Sequence, residues 1–361
     1  MRRALDLAAQ GRGRVEPNPM VGCVVARGAE IVGEGYHTRY GAPHAEVEAL
    51  RVAGKRAAGA TAYVTLEPCC HHGKTPPCTD ALLAAGVARV VYALDDPFPL
   101  VAGGGAAQLR AAGVEIESGV HADEARRLNA PYLKLLTKKR PWVVAKWAMT
   151  LDGKLAAASG DSRWISGEAA RSVVHALRGR CDAVVVGAGT AAADDPLLTV
   201  RLPQGASPAR TPLRIVVDDR ATLRLDSQLA RTAHDVPVLI AVAAAAPTEQ
   251  VAALRAAGCE VVELSGTSRA ERLAQLLDEL GRRRFTNVLV EGGGTLLGAL
   301  FDLGEVDEVH AFIAPKLIGG AQATTPLAGA GLAKMAEARA LDDVEIRQLG
   351  GDVYLSGRVR K

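Results

Sequence analysis

The sequence predicts two α/β domains in series, on three observations. Its 361 residues are enough for two domains that each bury a core. Apolar residues make up 48% of the chain but aromatics only 4%, so cores of Ala, Val and Leu are expected, which suits parallel or mixed sheets covered by helices. Short β-branched runs alternate with Ala-rich stretches on both sides of a basic, Pro-terminated break, TKKRP at 137–141. That break divides the chain into expected domains 1–139 and 140–361.

In the first part a helix starting at Met1 precedes the runs VGCVVA (21–26) and IVGEGY (31–36), then helical VEALRVAG (47–54). AYVTLE, VARVVYAL and the helices DALLAAG and AAQLRAAG continue a βα rhythm, which implies a mixed or parallel sheet with helices on both faces. VHADEARRLNAPYLKLL (120–136) reads as a closing helix interrupted near Pro131. In the second part the strand series is WVVAKWAM, CDAVVVGAGT, LRIVVDD, VPVLIAVA, CEVVEL, NVLVEGGG and EVHAFIAP. LPQGASPARTP (202–212) reads as a Pro-rich loop.

The formal charge of +3 excludes the strongly basic surface of a nucleic-acid or membrane binder. No apolar run reaches about 18 residues, so no membrane span is expected. The start lacks the apolar centre of a secretion signal, which points to a cytoplasmic protein. Six cysteines do not form a disulfide framework, and Cys23, Cys181 and Cys259 read as buried thiols.

The chemistry concentrates in His44-Ala45-Glu46 and PCCHHGKTPPC (68–78). A catalytic zinc takes three His or Cys ligands and leaves one position to water. A carboxylate beside the metal then carries protons between that water and a departing amine, a pattern written H-x-E followed by P-C and a second Cys. His44, Cys69 and Cys78 are the expected ligands and Glu46 the proton carrier. Eight residues rather than two separate the cysteines, so Cys70, His71 and His72 remain candidate ligands, and a closed structural zinc site remains an alternative. The prolines before Cys69 and Cys78 predict that both begin helices, whose N-termini favour thiolate.

The second half offers two glycine features. Gly187-Ala188-Gly189 with Ala192 matches a dinucleotide fingerprint weakly, because no acid follows about 20 residues on. Gly292-Gly293-Gly294-Thr295 lies between a strand and a helix, where glycines admit a pyrophosphate to the amides of a helix start. A ligand-free tight turn is the alternative there.

PNPMVGCVV (17–25), GEGYH (33–37), PHAEVEAL (43–50) and AYVTLEPCCHHGKTPPC (62–78) closely resemble the deaminase half of the bifunctional riboflavin-biosynthesis deaminase/reductase family. KWAMTLDGKLAAASGDSRWIS (146–166), DAVVVGAGTAAADDPLLTVR (182–201), VEGGGTLLGALF (290–301) and IAPKLIGG (313–320) extend the resemblance through the reductase half. It implies a cytidine-deaminase-like αβα domain followed by a dihydrofolate-reductase-like α/β domain, with Zn2+ and NADPH as cofactors. The implied substrates are small phosphorylated pyrimidines, 2,5-diamino-6-ribosylamino-4(3H)-pyrimidinone 5′-phosphate and then 5-amino-6-(5-phosphoribosylamino)uracil. A homo-oligomer is also expected, as are a few residues ahead of Met1.

Residue by residue, the resemblance assigns substrate contacts to Asn18, Ser162, Arg178, Leu198, Arg201 and Glu291. It assigns cofactor contacts to Ala148, Trp164, Thr190, Asp194, Asp219, Gly293, Gly294 and Thr295. Lys146 and Asp194 are the acid/base candidates of the reductase half. The guanidinium forks of Arg178 and Arg201 suit a phosphomonoester. Three positions depart from the family: Phe98 stands for a usual Asn, Cys70 for a Ser, and Asp219 for a Ser where a negative charge would disfavour a cofactor phosphate. The rival readings are a nucleobase or RNA deaminase fused to an unrelated reductase, and a non-catalytic regulator that binds zinc and nucleotide.

Overall fold

The computed structural model describes residues 1–162, 164–201, 208 and 210–361. Backbone contacts divide it into two compact units, Met1–Lys139 and Arg140–Lys361.

The first unit opens with α1 (Arg2–Ala9), β1 (Gly22–Arg27), β2 (Glu30–Tyr36), α2 (Ala45–Ala53) and β3 (Thr61–Val64). It continues with α3 (Cys78–Ala84), β4 (Arg89–Tyr92), α4 (Gly104–Ala111), β5 (Glu115–Ser118), α5 (Ala122–Leu128) and α6 (Ala130–Lys138). The sheet order is β2-β1-β3-β4-β5, antiparallel around β1 and parallel from β3 to β5. Cys23, Val25, Val64 and Val90 from the strands meet Ala45, Ala49, Leu82 and Leu109 from the helices in one core. Small residues let α2 come very close to the sheet. A side chain at Gly33 or Gly35 of β2 would meet the Ala49 carbonyl at 2.2 Å or the Ala49 amide at 2.5 Å. The GEGY segment therefore fixes the height of the helix that carries His44 and Glu46. The closing helix breaks into α5 and α6, with Pro131 near the start of α6, where its missing N–H costs nothing.

The second unit runs β6 (Trp142–Thr150), α7 (Glu168–Arg178), β7 (Ala183–Gly187), α8 (Ala188–Asp194), β8 (Leu213–Val217), α9 (Gln228–Arg231), β9 (Val238–Ala243) and α10 (Thr248–Ala256). Then come β10 (Glu260–Leu264), α11 (Arg269–Arg282), β11 (Asn287–Glu291), α12 (Gly294–Asp302), β12 (Val306–Ala314), β13 (Leu341–Leu349) and β14 (Asp352–Val359). The nine-stranded order is β10-β9-β8-β7-β11-β6-β12-β14-β13, parallel up to β12 and antiparallel for the last hairpin. One face packs on α7 and α10, the other on α11 and α12. The hairpin β13–β14 lies outside the expected strand series. Most of the side chains along β13 are exposed, so it lacks the one-sided apolar alternation by which strands are read. Of the expected loop 202–212, residues 202–207 and 209 lie outside the described residues.

Among the described residues, no helix is long and apolar enough to cross a membrane. Cys23, Cys181 and Cys259 are buried and form no disulfide among the described residues.

Candidate functional site

Two sites emerge, one in each unit. In the first unit, His44 caps the start of α2 in an extended conformation, and Glu46 lies in the first helical turn, 3% exposed. Cys78 is the first residue of α3. Cys69 is not at a helix start, which corrects the expectation. It lies in irregular chain after β3, because Gly73, Pro76 and Pro77 in the segment that follows leave no helix to begin before α3. Its thiol is nonetheless held by a helix start: the Cys78 amide donates to Cys69 Sγ at 3.4 Å.

His44 Nδ1 stands 3.3 Å from Cys78 Sγ and 3.5 Å from Cys69 Sγ, and the three donor atoms all lie within 4.8 Å of one another. A tetrahedral metal with bonds of about 2.0–2.3 Å spaces its ligand atoms at about 3.5 Å, so the donor set fits zinc. The thiols show why a cation belongs there. The Cys78 thiol lowers Cys69 below the ordinary thiol range, while Cys69 and burial push Cys78 up. Cys70, His71 and His72 stand outside the cluster; the Cys70 thiol turns to the Leu100 carbonyl at 3.6 Å. Burial, then the charge of Cys69, push the Glu46 carboxyl up to about 7, where it can both take and give a proton.

The structure adds residues whose role no spacing revealed. His37 is 3% exposed, and its Nδ1–H donates to the Pro43 carbonyl at 3.1 Å. Its Nε2 is thereby left as an acceptor for the Asn18 amide N–H at 3.3 Å, which fixes which way the Asn18 amide faces. Glu67, buried, accepts N–H groups from Gly103 and Ala106, both at 3.0 Å, and so ties α4 to the segment before Cys69. Phe98 lies against His71, ring centroids 5.6 Å apart.

In the second unit, a cleft of about 1120 Å³ opens at the carboxyl ends of β6, β7, β8 and β11. Open α/β sheets bind ligands at this edge, where chain connections diverge. Lys146 and Ala148 line it from β6, Thr190 and Asp194 from α8, Asp219 from beyond β8, and Glu291, Gly293, Gly294 and Thr295 from β11 and its turn. Ser162, Trp164, Arg178, Leu198 and Arg201 complete the set from the intervening segments. Gly292 and Gly293 have φ of 67° and 71°, which side chains resist, and Gly293 caps α12. A side chain on Gly294 would meet the Thr325 carbonyl at 2.1 Å. The bare turn at a helix start fits a dinucleotide pyrophosphate.

The charges in this cleft are ordered. Glu291 pairs in register with Lys146 on the neighbouring strand. Arg178 donates from Nε and Nη2 to the two Glu291 oxygens at 2.5 and 2.9 Å, and from Nη1 to the Thr199 carbonyl at 3.0 Å. The Arg178 fork, expected to suit a phosphomonoester, is closed on Glu291 here, because a buried carboxylate needs a paired cation. Burial raises the Glu291 carboxyl, but Arg178, with Lys146 and His175, outweighs this and holds it below its ordinary value. Lys146 is half-buried in the cleft wall, and desolvation, joined by the charge of Arg178, lowers its ammonium against the pull of Glu291 and Asp194. Ser162 donates to Asp194 at 3.4 Å, and the exposed Trp164 ring faces the Arg171 guanidinium at 5.0 Å. Arg201 is exposed, and its amide donates to His175 Nδ1 at 3.2 Å. His175 also lines the cleft; no sequence signal marked it.

Comparison with known proteins settles the lineage. Residues 1–94 match the cytidine and deoxycytidylate deaminase zinc-binding region, and residues 141–355 match the RibD C-terminal domain. The chain belongs to the RibD family. The riboflavin biosynthesis protein RibD of Escherichia coli is 44% identical over 98% of this chain and 97% of its own length. That of Actinobacillus pleuropneumoniae is 43% identical over 98% and 93%. The Acinetobacter baumannii RibD structure superposes with a TM-score of 0.86 at 38% identity, covering 100% of this chain and 98% of its own. A Thermotoga maritima structure described as a diaminohydroxyphosphoribosylaminopyrimidine deaminase/5-amino-6-(5-phosphoribosylamino)uracil reductase gives 0.82 at 35%, over 100% and 97%. As in the RibD family generally, a cytidine-deaminase-like domain precedes a reductase domain, and the expected fold class holds for both.

Proposed function

We propose that residues 1–139 deaminate 2,5-diamino-6-ribosylamino-4(3H)-pyrimidinone 5′-phosphate. Residues 140–361 then reduce 5-amino-6-(5-phosphoribosylamino)uracil to its ribitylamino product. The observation that carries this reading is the clustering of His44, Cys69 and Cys78 around a buried Glu46 in a chain of this family.

His44, Cys69 and Cys78 would hold zinc, which when bound supplies a Lewis acid that brings the pKa of water near neutrality. Glu46 takes a proton from the attacking water and returns it to the departing ammonia; a carboxyl poised near 7 serves both transfers. Asn18, held by His37, orients the pyrimidine edge.

In the second unit NADPH supplies hydride, and the turn at Gly293, Gly294 and Thr295 would hold its pyrophosphate, with Ala148, Trp164, Thr190 and Asp194 along the rest of it. Glu291, although paired with Arg178, keeps lone pairs for a sugar hydroxyl. Lys146 holds a proton close to the ring that must open, and Asp194 and Ser162 stand with it. Arg201, exposed at the cleft, faces the substrate phosphate, and Leu198 supports that side.

Purified protein given the diamino pyrimidinone phosphate should release one ammonia per substrate without NADPH, and oxidise NADPH only once deamination has occurred. NADPH oxidation with no ammonia released would overturn the assignment of the two halves.

A further inference from the structure

The segment from Asp195 to Arg201 carries Leu198 and Arg201 into the cleft, yet it forms neither helix nor strand. Asp195 and Leu198 have φ of 40° and 52°, left-handed values that a side chain resists, so the surroundings must hold the segment. Every second residue is tied to the framework. Asp195 Oδ1 accepts the Gln228 amide of α9 at 2.8 Å, and Arg214 of β8 donates from Nη1 to the Leu197 carbonyl at 3.2 Å. Arg178 donates to the Thr199 carbonyl at 3.0 Å, and the Arg201 amide donates to His175 Nδ1 at 3.2 Å. His175 and Arg178 stand three residues apart on α7 and so share one face of that helix.

His175 differs from the other ties in touching Arg201 itself. Because Nδ1 accepts the amide hydrogen, the neutral ring carries its proton on Nε2, and Nδ1 is not free to move a proton in the reaction. Burial, then the charges of Arg178 and Arg201, lower its imidazolium against the weaker pull of Glu291, which favours the neutral acceptor form. With the Arg178 fork closed on Glu291, the grip on a substrate phosphate falls to Arg201 and depends on where the chain places it. We propose that His175 is a positioning residue of the reductase site, fixing the backbone from which Arg201 reaches the substrate phosphate. This rests on the reading that Arg201 faces that phosphate.

Steady-state kinetics of the reductase in the full chain test it, with substrate and NADPH varied separately for the wild type, His175→Ala, His175→Asn, Arg201→Ala and His175→Ala/Arg201→Ala. His175→Ala should raise KM for 5-amino-6-(5-phosphoribosylamino)uracil about tenfold, as a misplaced contact group does, and leave KM for NADPH unchanged. Asn offers a carbonyl oxygen near the place of Nδ1, so His175→Asn should recover most of that loss. The double variant should bind substrate no worse than Arg201→Ala alone, because the ring acts only through that arginine. A His175→Ala loss that adds in full to that of Arg201→Ala, that falls equally on NADPH, or that Asn does not recover would mark a ring that merely braces α7, and overturns the proposal. An unchanged KM in His175→Ala beside a raised one in Arg201→Ala overturns it as well. An unchanged KM in Arg201→Ala would instead overturn the reading of Arg201 as the phosphate contact.

Discussion

The two sites are built in opposite ways. In the first unit four chemical groups, His44, Glu46, Cys69 and Cys78, come from a stretch of 35 residues and meet at the starts of two helices. In the second unit the cleft gathers groups from Lys146 to Thr295 at the ends of four strands, and its charges are satisfied by one another. A metal demands fixed donors at bond distance, so its chemistry is written in short spacings. A dinucleotide and a sugar phosphate need a long surface with charges in the right places, and the pairing of those charges is settled only by the fold.

This contrast makes its largest quantitative claim about the two arginines that sequence alone treats alike. Arg178 is bound into a buried pair with Glu291, so Arg178→Ala strands a carboxylate and should destabilise the second unit by about 3–5 kcal/mol. The double variant Arg178→Ala/Glu291→Gln should recover a good part of that loss. Calorimetric unfolding of the three proteins checks it, and additive losses would mean that the pair is not the interaction lost.

Arg201→Ala, by contrast, should unfold like the wild type and raise KM for the phosphorylated substrate roughly ten- to hundredfold, the loss of one charge-assisted contact. Its affinity for NADPH should barely change. Steady-state kinetics with each substrate varied separately distinguishes the cases: a loss confined to NADPH would move Arg201 to the other ligand.

The smallest effect belongs to the first unit. Phe98→Asn restores the residue type usual in the resembling family and removes a tilted ring contact with His71. It should lower stability by only about 1 kcal/mol, while deaminase kcat stays within a few-fold. A collapse of activity would show that the aromatic ring has become part of the substrate site.

The fold was largely readable because β-branched runs and Ala-rich helices alternate regularly, and the break at TKKRP coincides with a change from one hydrophobic system to another. What escaped reading follows the same physics. Strand β13 is mostly exposed and so shows no apolar face, and Cys69 follows a proline yet begins no helix. His37 and Glu67 act through hydrogen bonds to backbone and amide groups brought near only by folding. The charge at Asp219, which looks hostile to a cofactor phosphate in sequence, is neutralised by an arginine 53 residues away.

The central claim is that each unit performs its own chemistry, and Glu46→Gln tests it most directly. An amide cannot accept the water's proton, so ammonia release should drop by about a hundredfold to ten-thousandfold. Metal analysis should still find zinc on the variant, and NADPH-dependent reduction of the already deaminated substrate should continue at the wild-type rate. Deamination within a few-fold of wild type, or loss of the reductase together with it, would contradict the account.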